Sequence, residues 1–173
     1  MSEKKVHLGL LNPKSATNVG AVMRAAGCYA ADKVMYTGER YDRAVKLNTD
    51  TKKISSSVPL IGVKNLLDNK SDDIKVICVD LVEGAVPLPA FEHPDNAFYI
   101  FGPEDGTISQ KLINQADAVV YIPTIGCMNL AATVNVVLYD RLLKSAAHVT
   151  DNTLIRQSRD NNNKVKVKNR QTD

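Results

Sequence analysis

"AVVYIPTIGCMNLAATVNVVLYDRL", residues 118–142, runs from an apolar stretch through a Gly/Pro/Asn loop into a long amphipathic segment. "AVVYIP" has the branched and aromatic content of a buried strand. From Asn129 to about Ala146, Leu130, Val134, Val137, Leu138 and Leu142 recur at helical spacing and form one apolar face. A strand feeding directly into a helix is the unit from which parallel α/β sheets are built.

The same alternation extends upstream. "KVHLGLLN" reads as a buried strand, followed by a helix over residues 18–30 with Asn18 as its N-cap. "KVMYTG" is a second strand, "IKVICVDL" a third and "AFYIFG" a fourth, which makes "AVVYIP" the fifth. Residues 39–57 are polar and read as irregular, "VKNLLDN" as a brief helix and "ISQKLINQA" as a helix. The order predicts an α/β fold: a mainly parallel sheet flanked by helices, with no internal repeat.

A length of 173 residues suits one domain. Hydrophobic residues at 44% and charged residues at 24% are ordinary for a soluble globular chain. No apolar run is long enough to span a bilayer, and no secretory segment follows the charged start "MSEKK". Cys28, Cys78 and Cys127 stand apart in no metal or disulfide pattern, which fits a reducing cytoplasm and no metal. Residues 147–173 hold six basic and three acidic residues, so the net +3 belongs to the tail and residues 1–146 are balanced. The expected organisation is one globular domain over 1–146 and a basic, mobile tail over 147–173.

Three unusual loops precede helices: "NPKSATNVG", "FGPEDGTIS" and "IPTIGCMN". Ligands of open parallel sheets bind beyond the carboxyl ends of the strands, where these loops belong. Gly102, Gly106 and Gly126 would let a ligand approach the main chain. There is no GxGxxG after the first strand, no GxxxxGK[ST] and no GxSxG, and His7, His93 and His148 lack partner spacing. Glu104 alone could be a helix-capping acid. Arg24 is a cation among Ala21, Ala25 and Ala26, on a helix small enough for close approach.

Taken in order, "NVGAVMRAA", "FGPEDGTIS" and "IPTIGCMNLAATVNVVLYDRL" closely resemble the three signature motifs of the SpoU/TrmH family in the SPOUT superfamily of RNA methyltransferases. The resemblance covers residues from about 6 to 143 and is similar to the minimal tRNA wobble-ribose branch. It implies a C-terminal deep trefoil knot over about residues 76–143 and a homodimer paired through the first and last helices. It implies S-adenosylmethionine as cofactor, held by Val79, Asp80, Leu81, Phe101, Gly102, Pro103, Ile122, Pro123, Gly126, Cys127, Met128, Asn129 and Leu130. It implies RNA as substrate, methylated on a ribose 2′-hydroxyl, with tRNA favoured over rRNA. Arg24, Asn18, Glu104 and Asn129 match the motif residues given catalytic roles: Arg24 on an RNA phosphate, Asn18 and Glu104 orienting Arg24 and the loop. A guanidinium fork suits a phosphate, whereas free arginine is always protonated and is a poor base.

The third motif departs from many relatives, since Cys127 and Ala131 stand where those have serines. A thiol donates hydrogen bonds weakly. Two readings therefore stay open: an active 2′-O-methyltransferase, or an RNA-binding protein on the same scaffold with weakened catalysis.

Overall fold

In the computed structural model of the chain, residues 4–47, 57–68, 70–145 and 152–167 are described. Seven strands form one sheet: β1 (Val6–Leu10), β2 (Lys33–Tyr36), β3 (Leu60–Gly62), β4 (Lys75–Val79), β5 (Val86–Pro87), β6 (Ala97–Phe101) and β7 (Ala118–Tyr121). Their order is β3-β2-β1-β6-β4-β7-β5, and every neighbouring pair is parallel. The helices are α1 (Ala16–Cys28), α2 (Arg40–Leu47), α3 (Gln110–Ile113), α4 (Leu130–Lys144) and α5 (Thr153–Ser158). None of those described is long and apolar enough to cross a membrane.

Both faces of the sheet are covered, so its central strands are apolar throughout rather than alternating. Along β6 the pleat sends Tyr99 and Phe101 to one side and Phe98 and Ile100 to the other. The first side packs on α1 and α4 through Val19, Val22, Ala26, Val134 and Val137. The second packs on Leu66, Ile108 and the apolar side of α3. Gly9 in β1 permits the second layer, because a Cβ there would meet Phe98 at 2.8 Å and Leu66 at 2.9 Å.

A polar clamp fixes α4 against the segment before β6. The side chain of His93 is 4% exposed and lies 2.6 Å from the Tyr99 hydroxyl and 2.8 Å from Asp140. Arg141 donates to the carbonyls of Pro94 and Asp95 and to the Tyr99 oxygen. Burial holds His93 below its ordinary pKa although Asp140 pulls the other way. Asp140 is shared with Lys144 at 2.7 Å, which weakens that pull.

The structure differs from the sequence reading in several places. α1 starts at Ala16, not at 18, and its N-cap is Ser15 rather than Asn18. α2 occupies part of the stretch read as irregular. "VKNLLDN" makes a turn whose Leu66 plugs the core, not a helix. β3 and β5 were not expected; at three and two residues they are too short to leave a period. Leu142, placed on the apolar face of α4, is 44% exposed. Within the described part of the segment read as a tail lies α5, which has no buried residue.

Candidate active site

Strand register brings the loops together. Leu10 pairs with Phe101, Phe101 with Val79 and Val79 with Val120. Four adjacent strands thus end level, and the segments that follow them leave one edge side by side.

At this edge Ser15 opens α1 in an extended conformation, its hydroxyl accepting from the Asn18 N–H at 3.2 Å. Glu104 reaches the same place from the loop after β6. Its carboxylate accepts from the Lys14 N–H at 3.0 Å, the Ser15 N–H at 3.3 Å and the Asn18 amide at 3.1 Å. Glu104 does cap a helix, but one that begins 88 residues upstream of it in the chain, since α1 starts at residue 16. Burial works against its charge, yet the Asn18 amide and the main-chain donors outweigh that and hold its pKa below the ordinary carboxylate value. A carboxylate with three donors and a lowered pKa is a weak base.

Asn129 opens α4. Its Oδ1 accepts from the N–H groups of Ala131 at 2.9 Å and Ala132 at 3.3 Å, and its amide donates to Asn18 Oδ1 at 3.0 Å. The cap commits the Asn129 oxygen to the helix, so its NH2 must face Asn18. Asn18 must then present its oxygen there and its NH2 to Glu104. The three side chains orient one another. Beside them the Asp105 carboxylate accepts from Nη1 and Nη2 of Arg40, both at 3.0 Å, and from Lys14 Nζ at 3.4 Å, tying the loop to α2.

An open cleft of about 710 Å³, solvent-facing space included, lies at the ends of β4, β6 and β7. Of the residues that the resemblance assigns to the cofactor, Val79, Asp80, Leu81, Phe101, Gly102, Pro103, Ile122, Gly126, Cys127, Met128 and Leu130 line this cleft, and Pro123 and Asn129 do not. Tyr121, Thr124 and Thr133 also line it and were not anticipated. Thr133 lies one helical turn past Asn129, a spacing that could have exposed it. The Asp80 carboxylate accepts from the N–H groups of Leu81 and Ile108, both at 2.8 Å, and so braces the end of β4 against the loop after β6. Gly126 has φ +84°, a conformation that favours glycine.

The lining carries two carboxylates, Asp80 and Glu104, and neither lysine nor arginine. Apolar walls from Val79, Phe101, Ile122 and Leu130 complete it. This donor set fits S-adenosylmethionine, which combines an apolar aromatic base with a sulfonium and an ammonium. Cys127 is exposed and unbonded. Among the described residues no three His, Cys, Asp or Glu are grouped to hold a metal.

Arg24 lies elsewhere. It is exposed, while Val19, Val22, Met23, Ala25 and Ala26 face the interior. Six residues past Asn18 it is about 240° round the helix and about 9 Å along it. No hydrogen bond or ion pair joins it to Asn18, Glu104 or another described residue. Ala25 and Ala26 are buried where α1 packs on the core, whereas Ala21, three residues before Arg24, is exposed like it.

No curated protein matches the sequence. Among solved structures the chain is similar to an rRNA methyltransferase from Sinorhizobium meliloti, with TM-score 0.64 and 18% identity, covering 80% of this chain and 56% of that one. It is similar to the SpoU methyltransferase AviRb from Streptomyces viridochromogenes in complex with AdoMet, with TM-score 0.67 and 19% identity, covering 83% and 59%. A third likeness is to a protein solved for insight into 2-OH methylation of C/U34 on tRNA, with TM-score 0.68 and 18% identity, covering 83% and 92%. This chain therefore spans little more than half the length of the first two. At such identities these likenesses speak for the fold. The sequence itself matches the SpoU rRNA methylase family over residues 5–139, a span that holds all three loops and most of α4. The chain belongs to the SpoU rRNA methylase family.

Proposed function

We propose that the protein is an S-adenosylmethionine-dependent RNA methyltransferase acting on a ribose 2′-hydroxyl, with tRNA its substrate before rRNA. The observation that carries this reading is the Glu104–Asn18–Asn129 chain beside an acid-lined cleft without cations at the carboxyl edge of the sheet. S-adenosylmethionine supplies a methyl group already activated on sulfur, so the protein needs to position two partners and manage one proton.

Val79, Phe101, Ile122 and Leu130 wall the adenine end, and Asp80 and Glu104 set a negative field that favours the ligand's positive groups. Asn18 and Asn129 hold the three loops at fixed spacing. Glu104 braces and does not accept the hydroxyl proton. Arg24 serves by gripping a phosphate of RNA that approaches the exposed face of α1. Tyr139, Leu142 and Leu143 on α4 are 44–56% exposed and offer an apolar face for a second copy, so the homodimer belongs to this reading. So do the trefoil knot and a cytoplasmic location. The 92% span of the C/U34 relative favours tRNA.

The test is transfer of labelled methyl from S-adenosylmethionine to total RNA, followed by mapping of 2′-O-methyl sites. Label in a tRNA ribose supports the reading, and no transfer to any RNA overturns it. Cys127 and Ala131 in the third motif favour a second reading, an RNA-binding protein of the same fold with weakened catalysis. RNA affinity without cofactor affinity would select it.

A further inference from the structure

A second cleft opens at the same sheet edge, on the opposite face. After β1 the chain enters α1, whose apolar side joins Leu8 and Leu10. After β6 it enters α3, whose Leu112 and Ile113 join Phe98 and Ile100 on the other side. Adjacent parallel strands whose next helices go to opposite faces create the crevice where open α/β sheets take ligands. The cleft sits in that crevice and measures about 620 Å³, solvent-facing space included.

Its floor is apolar: Leu11, Leu66 and Leu112, with Leu66 3% exposed. Lys64 and Lys111 also line the cleft, together with the neutral polar residues Thr37, Asn65, Ser109 and Gln115. Neither lysine has an ion-pair or hydrogen-bond partner among the described residues. Of the other described lysines of the body, Lys4, Lys5, Lys14, Lys75 and Lys144 each meet a carboxylate and Lys70 meets two carbonyls, while Lys33 and Lys46 have no described partner either. No acidic residue lines this cleft. Two uncompensated ammonium groups together with an apolar floor suit a ligand with one anionic and one flat apolar part, which is the chemistry of a nucleotide. The first cleft has the opposite charge character and would repel a phosphate.

Resting on the reading above, we propose that this second cleft seats a nucleotide of the RNA strand flanking the methylated one. Lys64 and Lys111 hold its phosphate, and its base lies on Leu11, Leu66 and Leu112. The floor has no aromatic ring and so buries a base without selecting it strongly.

The test uses the full chain, the Lys64→Ala/Lys111→Ala variant and the Lys64→Arg/Lys111→Arg variant. Binding of unmodified tRNA is measured across salt concentrations, S-adenosylmethionine binding by calorimetry, and methyl transfer by KM and kcat. For loss of one phosphate contact, the alanine variant should bind RNA about tenfold more weakly and its log–log salt slope should flatten by about one. KM for RNA should rise while kcat and cofactor affinity hold, and the arginine variant should restore binding. Unchanged RNA affinity and slope in the alanine variant overturns the proposal while wild-type methylation leaves the enzyme reading intact. Binding of a free nucleoside monophosphate that depends on the two lysines, with RNA affinity unchanged, overturns it in favour of a small-molecule site. A wild-type chain that binds no RNA overturns both readings.

Discussion

The side-chain amide of Asn129 donates to Asn18 Oδ1 at 3.0 Å, joining the last residue of the third loop to the start of α1 across 111 positions of sequence. Asn18 passes the contact on to Glu104. One row of polar side chains thus spans the three loops at the carboxyl edge, and substitutions along it separate bracing from helix capping.

Asn129→Ala removes an N-cap and the donor to Asn18 together. Loss of the cap should cost about 1 kcal/mol, lowering Tm by about 2–4 °C. Asn129→Ser keeps a capping oxygen and loses the donor. It should melt near wild type yet transfer methyl poorly. Full activity in the serine variant would confine Asn129 to capping.

Arg24→Ala should abolish methyl transfer and leave S-adenosylmethionine affinity unchanged, because Arg24 lies on the outward face of α1. Arg24→Lys should also be poor, since an ammonium keeps the charge and loses the two-pronged grip on phosphate. Calorimetry on both variants checks this, and lost cofactor affinity in Arg24→Ala would contradict the assignment.

Glu104 makes stability sensitive to acid. Its folded pKa lies below its unfolded value, so the unfolded chain binds the proton more readily. The stabilisation is fully present above the unfolded pKa of about 4.3 and is lost as pH falls through the lower folded value. Urea melts of wild type and Glu104→Gln at pH 7 and near pH 3.5 should show a smaller acid loss in the variant. Parallel losses would mean that Glu104 is not held ionised by its donors.

Sedimentation at micromolar concentration should show a dimer. Leu143→Asp, which puts a charge on the exposed apolar side of α4, should shift it to monomer. Because Leu143 is 54% exposed within one chain, the fold of the subunit should survive, as far-ultraviolet circular dichroism would report. A wild-type monomer would remove the basis for assigning that face to a second copy.

Truncation after Ile155 removes Arg156, Arg159 and the four cations Lys164, Lys166, Lys168 and Arg170, of which Lys168 and Arg170 lie outside the described residues. If these four cations meet phosphates, the slope of log RNA affinity against log salt should flatten by about three to four. An unchanged slope would leave the tail without a part in RNA binding.

The alternation of strands and helices could be read from sequence because buried strands and amphipathic helices repeat at their own periods over a few residues. "AFYIFG" and Leu130, Val134, Val137 and Leu138 carry that signal strongly, and β6 and α4 lie where they point. The resemblance of three ordered loops to known motifs pointed to the edge where the cleft and the Glu104–Asn18–Asn129 contacts lie. The periodic signal fades where elements are short, as in β3 and β5, and where two polar residues compete for one role, as Ser15 and Asn18 do for the cap of α1.

The sequence by itself determined the α/β class, the main strands, the long helix and the three loops after β1, β6 and β7. Only the tertiary structure decided what those loops touch. Glu104 meets the start of α1, and Asn129 meets Asn18, because Leu10, Phe101, Val79 and Val120 stand level in a parallel sheet. Arg24 faces outward because the other side of α1 is committed to the core. Local periodicity informs about neighbours three or four positions apart. Hydrogen bonds across 86–111 positions depend on strand register, which long-range packing sets.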